Sequence, residues 1–371
     1  MICYSLLISI YLIEISFFTY DLLNTKKKSS NKNISKNSII NIYKNSKDKK
    51  NIYPIYKFEI EYLLKNDDTF PLSGISNTKT LLCNEGGNTI FYKSDKFGFR
   101  NPNDIWGKKN IEYLFIGDSF IHGTCVDDKS HIAGIFEKKF NKDVLNLGLG
   151  GSGPLKEFAI FKEYGLDSRP KKVFWFYFEG NDLAKDLRRE KTNRFFLSYL
   201  NENFTQNLKN KQNNIDIMLK DYLIKKMYSE NLSISIKNNK DVESILQKLK
   251  FLRLWYVRSL LHKIFVKEKT DPLFKTILLK TKNEVSKWNG ELYFVYLPEK
   301  KRYSTAFNKY VLNENFRNKN QVIKIVEELG IKVLDIDKKI FKNYENPLDL
   351  FYDHYNEKGY ALIADIIKKV P

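Results

Sequence analysis

Residues 113–120 have the sequence YLFIGDSF, an apolar run that ends in a polar turn. Because YLFI is apolar without alternation, it predicts a strand buried on both faces, as in a parallel sheet. Gly117-Asp118-Ser119 then places a serine at the carboxyl end of that strand, where open α/β sheets bind their ligands. We expect Ser119 to be a nucleophile. The alternative is a helix N-cap, in which Ser119 or Asp118 accepts an amide hydrogen bond.

Four further apolar runs predict strands of the same kind: DVLNLG (143–148), KVFWFYFEG (172–180), LYFVYLP (292–298) and IKVLDI (331–336). Segments with helical periodicity lie between them, and strands that alternate with helices form βαβ units. The sequence therefore predicts an α/β fold with a mostly parallel, doubly wound sheet.

The composition excludes several classes of protein. The chain has 371 residues, of which 42% are hydrophobic and 29% charged, and this is enough to bury a core and to exclude wholesale disorder. The 17 glycines, 9 prolines and 3 cysteines exclude collagen-like and disulfide-scaffold proteins. The sequence has one long apolar run, which excludes a membrane protein with several spans.

The net charge of +19 would fit a nucleic acid or an anionic surface as a partner. However, residues 26–50 alone hold nine lysines and one acid, and the remaining charge follows no recognisable nucleic-acid motif. Lysine, asparagine and isoleucine are abundant throughout, which is typical of AT-rich coding sequences. We therefore predict no nucleic-acid partner.

The amino-terminal run ICYSLLISIYLIEISFFTY (2–20) is nearly continuous, with Glu14 and Asp21 as the charges in or beside it. It just reaches the roughly 20 residues that a helix needs to cross a bilayer. It is either a signal peptide or an uncleaved anchor, and the lack of a small-x-small cleavage site favours an anchor over residues 1–23. Lysines follow the run, which by the positive-inside rule argues against export.

The rest of the chain divides into a linker and one large domain. Residues 24–52 are rich in Lys, Asn and Ser, which predicts a flexible linker, and residues 53–371 form the globular domain. Within it, residues 183–290 are polar and mostly helical in period, which predicts a helical insertion on the α/β core. The insertion is either a lid over the site or a plain extension of the core.

Two further loops follow predicted strands. Residues 146–154 have the sequence NLGLGGSGP, and glycines let backbone amides approach a developing oxyanion closely. A phosphate-binding loop is the rival interpretation, but the Lys-Ser/Thr of a P-loop is missing. In Glu179-Gly180-Asn181-Asp182, the Asn181 side chain offers an N–H donor for the same oxyanion. The alternative there is an Asn/Asp turn that ends the strand.

A serine nucleophile needs a base, usually an imidazole. Of the four histidines, His354 in DHYNEKGY near the C-terminus is the best candidate. His262 lies in the predicted insertion and His131 at a helix start. His122 follows Ser119 by three residues and could compete, although the shared loop makes the geometry awkward.

Four motifs follow one another along the chain: strand-GDS, strand-NxGxxG, strand-GND and a C-terminal HxNxxG. This arrangement resembles the SGNH/GDSL hydrolase family. The resemblance covers about residues 90–182 and 290–371. Residues 94–106, SDKFGFRNPNDIW, look like the segment before GDSF in many exported bacterial members, which the amino-terminal anchor also fits. The resemblance implies a flavodoxin-like three-layer α/β/α sandwich and an ester hydrolase.

Carried over by position, the resemblance implies that Ser119 is the nucleophile and its own amide an oxyanion donor. Gly151 would be the loop donor, Asn181 the side-chain donor and His354 the base. The implied reaction is acyl transfer through an acyl-enzyme, without a cofactor. No cluster of His, Cys and Asp has metal-ligand spacing, so we predict no metal.

The sequence departs from the family at the residue that orients the histidine. The family usually has an Asp three residues before it, and here that position is Phe351. Asp353, next to His354, or alternatively Asp349 could take the role, and so could a backbone carbonyl.

The predicted substrates are acyl esters, acetyl esters in particular, of carbohydrate or lipid. Two alternatives stay open. One is an O-acyltransferase that modifies a cell-surface polysaccharide with the same residues. The other is a catalytically silent binding domain, which the Phe351 departure leaves possible. The oligomeric state is not fixed by the sequence.

The three cysteines bear on the compartment. Cys3 lies in the apolar run and is predicted to be unpaired, whereas Cys83 and Cys125 lie in the globular part. We predict a disulfide between Cys83 and Cys125 beside the active-site loop, against the alternative of two unrelated core residues. Disulfides persist in oxidising compartments. The bond would therefore place an anchored domain in the periplasm, outside the inner membrane.

Overall fold

The computed structural model describes residues 2–24, 52–54, 69–83, 85, 87–233, 251–265, 270–311 and 313–371. The predicted linker over 24–52 lies outside the described residues except at its two ends. Parts of the region 183–290 lie outside them as well.

Within this part of the chain, eight strands form two sheets. They are β1 (Ile52–Pro54), β2 (Lys79–Cys83), β3 (Ile90–Lys93), β4 (Tyr113–Ile116), β5 (Val144–Asn146), β6 (Lys172–Phe178), β7 (Glu291–Leu297) and β8 (Lys332–Asp335). The helices are α1 (Ile2–Asn24), α2 (Ser119–His122), α3 (Ile132–Phe140), α4 (Pro154–Ile160), α5 (Arg188–Glu190), α6 (Arg194–Ser198), α7 (Gln212–Ser233), α8 (Trp255–Phe265), α9 (Pro272–Ser286), α10 (Lys319–Glu328), α11 (Ile336–Lys339) and α12 (Glu357–Lys368).

The larger sheet has five parallel strands in the order β5-β4-β6-β7-β8. Counted within this sheet, the order is 2-1-3-4-5, the flavodoxin-like arrangement of doubly wound folds. Each of the five predicted apolar runs forms one of these strands. The strand order reverses between β4 and β6, and such sheets bind ligands outside the carboxyl ends of the strands at that point.

Helices cover both faces of this sheet. One face packs against α4, α9 and α10, with Phe158, Phe274 and Val322 buried in the interface. The other face packs against α3 and α12 through side chains that include Phe136 and Ile363. The protein therefore has three layers, which confirms the predicted α/β/α sandwich.

The region 183–290 contributes to the core on one of these faces. Ile215 and Leu219 of α7 and Ile277 and Leu278 of α9 are fully buried in the same cluster as residues of β6 and β7. Helix α9 lies on the sheet directly before β7, where a right-handed crossover between parallel strands needs a helix.

A smaller sheet of three strands, in the order β1-β2-β3, lies before β4 in the sequence. Strand β2 pairs parallel with β1 and antiparallel with β3, and its register with β3 shifts between Leu81 and Cys83. The sequence patterns did not predict this sheet. Its importance lies in the β2–β3 connection, which carries Glu85.

Helix α1 is, among the described residues, the one helix long and apolar enough to cross a membrane. One of its faces contacts the domain. Glu14 accepts hydrogen bonds from the backbone N–H groups of Tyr256 (3.0 Å) and Val257 (2.8 Å) at the start of α8. Asp21 accepts one from the N–H of Phe307 (2.8 Å).

The opposite surface of α1 is apolar and exposed, with large side chains that include Leu6, Leu12 and Leu23. Its two acids are buried against protein. An apolar helix whose acids have backbone partners meets the condition that polar groups in a bilayer be satisfied within the protein.

The contact between α1 and α8 can be tested with Glu14→Ala. The first N–H groups of a helix need acceptors, and loss of such a cap costs about 0.5–2 kcal/mol. We therefore expect faster hydrogen exchange at Tyr256 and Val257 in the full-length, detergent-solubilised protein, measured by mass spectrometry. Ile13→Ala, at a side chain 49% exposed, is the matched control. Equal exchange in both variants would show that Glu14 does not cap α8.

Candidate active site

The candidate nucleophile lies where β4 ends. Ser119 is the first residue of α2, and Asp118 caps this short helix by accepting the N–H of Phe120 at 2.9 Å. Gly117 makes the sharp turn possible, because a Cβ there would lie 2.6 Å from the side chain of Ile121. The N-cap suggested as an alternative role is thus filled by Asp118.

The Ser119 hydroxyl lies 2.9 Å from Nε2 of His354 and 3.4 Å from a carboxylate oxygen of Asp118. His354 sits in the turn just before α12, where Phe351 and Tyr355 form an isolated antiparallel bridge. The Phe120 ring packs against the imidazole at a centroid distance of 4.7 Å. The structure thus brings the predicted serine and histidine into contact, although they are 235 positions apart in the sequence.

The group that orients the imidazole is Glu85. One of its carboxylate oxygens lies 2.8 Å from Nδ1 of His354. The other accepts the backbone N–H groups of Asp353 (3.1 Å) and His354 (2.8 Å). A single carboxylate therefore holds both the ring and the backbone of the histidine.

This geometry corrects the prediction of Asp353 or Asp349 as the orienting acid. The Asp353 side chain is half exposed and lies 3.4 Å from Nζ of Lys300. Asp349 accepts a hydrogen bond from the Asn346 side chain. The position three residues before the histidine is buried among aromatic rings and holds Phe351 instead of a carboxylate.

Glu85 was missed because it lies far from the other motifs, in a segment without a periodic pattern. One signal pointed to it. Glu85 follows Cys83 by two residues, and Cys83 was predicted to pair with Cys125, six residues after Ser119. That pairing alone brings the carboxylate into the neighbourhood of the serine.

The contact between Glu85 and His354 shifts both pKa values from those of the free groups, in opposite directions. Burial alone would lower the pKa of His354, but the charge of Glu85 and its hydrogen bond outweigh burial and raise that pKa. Burial alone would raise the pKa of Glu85, but the charge of His354 and the hydrogen bonds to the carboxylate lower it. Glu85 is therefore ionised at neutral pH, as the partner of an imidazolium must be.

The other histidines have different partners. Nε2 of His122 lies 3.1 Å from the Tyr92 hydroxyl, and burial lowers the pKa of His122 to about 3. Burial also lowers the pKa of His131, whose ring accepts the N–H of Gly134. Both rings are thus neutral at physiological pH. His262 is exposed on α8.

The glycine-rich loop after β5 lies against the serine. The position of a Cβ on Gly150 would be 3.8 Å from Cβ of Ser119, which is ordinary van der Waals contact and places the loop beside the nucleophile. Gly151 has a left-handed φ of 75°, and its carbonyl accepts a hydrogen bond from Arg189 at 3.0 Å. The buried Glu190 carboxylate accepts the Gly153 N–H at 2.7 Å and so fixes the end of the loop.

Asn181 stands directly after β6 and before a π-helical turn at Asp182–Leu187. Its side-chain nitrogen donates a hydrogen bond to the Asp186 carboxylate. This bond uses one of the two hydrogens on the amide nitrogen and holds the side chain in one orientation. The turn that was the alternative for this segment is also present, because residues 179–181 form a turn where β6 ends.

Several buried acids lie behind these loops. Burial and neighbouring carboxylates raise the pKa of Glu157 and of Asp182 well above ordinary values. Burial raises the pKa of Glu190 to about 7. Burial thus favours the neutral, protonated form of Glu157 and Asp182.

Cys83 and Cys125 form a disulfide with a Cα–Cα distance of 5.4 Å. Within the described residues, one grouping has metal-ligand geometry. Sulfur of Cys125, a carboxylate oxygen of Glu85 and a ring nitrogen of His354 lie within 4.8 Å of one another. The sulfur is bonded to Cys83 and is not a thiolate, which is the form that binds metals.

Comparison with known proteins gives similarity at the level of structure. No family model and no curated protein sequence matches the chain. A protein assigned to the G-D-S-L lipolytic family from Desulfitobacterium hafniense DCB-2 aligns at 14% identity, over 71% of this chain and 100% of its own, with a TM-score of 0.38.

Two further solved structures are similar. The acetyl xylan esterase AlAXEase aligns at 12% identity over 70% of this chain and 98% of its own, with a TM-score of 0.36. The lipase/acylhydrolase from Enterococcus faecalis aligns at 10% identity over 69% of this chain and 93% of its own, with a TM-score of 0.37. At such values no residue role passes from these proteins to this chain, and the roles of Ser119, His354 and Glu85 depend on their own geometry.

The Glu85–His354 contact predicts how the serine reacts at different pH. The imidazole must be neutral to accept a proton, so the rate at which a fluorophosphonate labels Ser119 should rise with pH, with an apparent pKa above 6.5. Glu85→Gln removes the charge that raises this pKa. The rising limb should therefore move to lower pH, and the plateau should fall by up to about 10⁴, the loss known for serine-protease triads.

Asp353→Asn is the matched control, since Asp353 contributes a smaller interaction to the same histidine. Its plateau should stay within a few-fold of the unsubstituted protein. A loss in Asp353→Asn as large as in Glu85→Gln would assign the orienting role to Asp353 after all.

Proposed function

We propose that the protein is a serine ester hydrolase of SGNH type, in which Ser119 attacks the ester and His354 is the base. The observation that carries the proposal is the continuous line of contacts from Ser119 Oγ to His354 Nε2 (2.9 Å) and from His354 Nδ1 to Glu85 (2.8 Å). A nucleophile, a base and an acid that orients the base are the parts that serine acyl transfer needs.

The reaction has two halves. In the first, Ser119 Oγ attacks the carbonyl carbon as Nε2 of His354 takes the hydroxyl proton, and the alcohol leaves with that proton. In the second, water gives a proton to His354 and attacks the acyl-enzyme, and His354 then returns a proton to Ser119 Oγ as the bond to the acyl group breaks and the acid leaves. The ionised Glu85 carboxylate stabilises the imidazolium formed in both halves.

The negative charge that develops on the carbonyl oxygen needs hydrogen-bond donors. We assign this role to the backbone N–H groups of Ser119 and Gly151 and to the side-chain N–H of Asn181. The assignment is supported by the position of the glycine loop against Ser119 and by the Asp186 carboxylate that orients the Asn181 amide.

The proposed substrates are acyl esters, acetyl esters in particular, of carbohydrate or lipid, as the family resemblance implies. An O-acyltransferase would use the same groups, with a sugar hydroxyl in place of water in the second half-reaction. A silent binding domain is disfavoured, because Glu85 supplies the carboxylate that Phe351 lacks.

We further propose that the domain is attached to the inner membrane through α1 and faces the periplasm. The disulfide favours an oxidising compartment. The apolar helix α1 is long enough to reach into a bilayer.

The proposal is tested with p-nitrophenyl acetate, with and without a sugar acceptor. Ser119→Ala should lower the rate at least about a thousandfold, and His354→Ala by a similar factor, because residues that act as a unit are not additive. Ser286→Ala, at an exposed serine of α9, is the matched control and should keep full activity.

Full activity in Ser119→Ala would show that another residue is the nucleophile. Acetylated sugar that accumulates in place of acetate would assign the transferase reaction. A folded protein that neither hydrolyses the ester nor is labelled at Ser119 would overturn the proposal in favour of a binding domain.

A further inference from the structure

Two segments that differ in origin meet at His354. Ser119 begins the helix after β4 of the five-stranded sheet, whereas Glu85 lies between β2 and β3 of the smaller sheet. No strand pairing joins the two sheets in the described part of the chain. The Cys83–Cys125 bond crosses between them, and the Cys125 sulfur lies within 4.8 Å of both a Glu85 oxygen and a His354 nitrogen.

The serine side of this junction is held without the disulfide. The buried Arg100 guanidinium donates hydrogen bonds to the carbonyls of Gly123 (2.7 Å) and Val126 (2.9 Å) and to the Asp128 carboxylate (2.8 Å). These bonds fix the segment on both sides of Cys125. Loss of the disulfide would therefore leave the loop after Ser119 in place.

On the Glu85 side, the smaller sheet is joined to the serine side by the disulfide and by Tyr92 of β3, whose hydroxyl lies 3.1 Å from Nε2 of His122. Cys83 is the last residue of β2, next to the register shift, and Glu85 lies beyond it. In the described residues, the hydrogen bonds of the Glu85 side chain all go to Asp353 and His354. The disulfide two residues earlier is thus the covalent bond that fixes the start of the segment against the catalytic loops.

We propose that the Cys83–Cys125 disulfide positions Glu85 against His354, so that ester hydrolysis depends on the oxidation state of this cysteine pair. The inference rests on the proposed function and extends it to a redox requirement. Cys83 and Cys125 are positioning residues, because they act through Glu85 and touch neither the substrate nor the reacting atoms.

The redox step balances with a dithiol as the reductant. A dithiol such as dithiothreitol gives two electrons and two protons, which convert the disulfide into the thiols of Cys83 and Cys125, and it becomes a cyclic disulfide itself. The connection that carries Glu85 is then released. His354 loses the carboxylate that orients its ring and raises its pKa.

The experiment compares four samples: oxidised and reduced protein, each with Glu85 and with Glu85→Gln. All carry Cys3→Ser, so that the pair supplies the only thiols. A chelator is present throughout, because free Cys125, Glu85 and His354 could otherwise hold a metal ion. Hydrolysis of p-nitrophenyl acetate is measured across pH, at a temperature where circular dichroism shows that the reduced protein is folded.

With Glu85 present, reduction should lower kcat at least about tenfold and move the rising pH limb downward. In Glu85→Gln, reduction should change kcat less than twofold, since the interaction that the disulfide supports is already lost. Reoxidation should restore activity, which excludes irreversible inactivation as the cause. A Cys83→Ser, Cys125→Ser variant should match the reduced protein.

A purely structural disulfide gives a different result. Reduction would then lower the thermal midpoint but leave kcat and the pH profile unchanged, or it would lower kcat equally with and without Glu85, and either result overturns the inference. Failure of the proposed function gives a result that can be distinguished from failure of this inference. In that case the oxidised protein would neither hydrolyse the ester nor be labelled at Ser119.

Discussion

The contact between the Glu85 carboxylate and His354 is the constraint on which the rest of the site depends. One oxygen binds the ring, which holds the orientation of the imidazole. The other binds two successive backbone N–H groups, which hold the position of the loop that carries the histidine. Hydrogen bonds to the ionised form also keep the carboxylate charged. With the ring fixed in this way, Nε2 lies 2.9 Å from Ser119 Oγ, and the oxyanion proposed above has a defined position relative to the glycine loop and Asn181.

Much of this arrangement could be predicted from the sequence, for a topological reason. Parallel strands bring their carboxyl ends to one edge, so polar residues after β4, β5 and β6 must lie near each other. The unbroken apolar runs identified those strands, and Ser119, Gly151 and Asn181 come within five residues of the strand ends. His354 could be found because a serine needs a base and the chain has few histidines.

The acid could not be found in this way, because its position depends on tertiary contacts between two sheets. Glu85 is separated from His354 by 269 positions, and no local pattern marks it. Family position pointed to Phe351, where the structure has an aromatic cluster. The contacts of Glu14 and Asp21 with α8 and Phe307 escaped prediction for the same reason, since both acids look like interruptions of an apolar run.

The buried acids behind the site differ from Glu85 in their electrostatic environment. An imidazolium is stabilised by nearby negative charge, and Glu85 places its carboxylate on the Nδ1 side of the ring. Burial raises the pKa of Glu157 and of Asp182, whereas the charge of His354 and the hydrogen bonds from its loop lower the pKa of Glu85. Burial and local contacts thus shift the pKa values of similar carboxyl groups in opposite directions. Glu85 makes the largest carboxylate contribution to the pKa of His354, beside smaller ones from Asp118 and Asp353, and it is the one that we propose the Cys83–Cys125 bond controls.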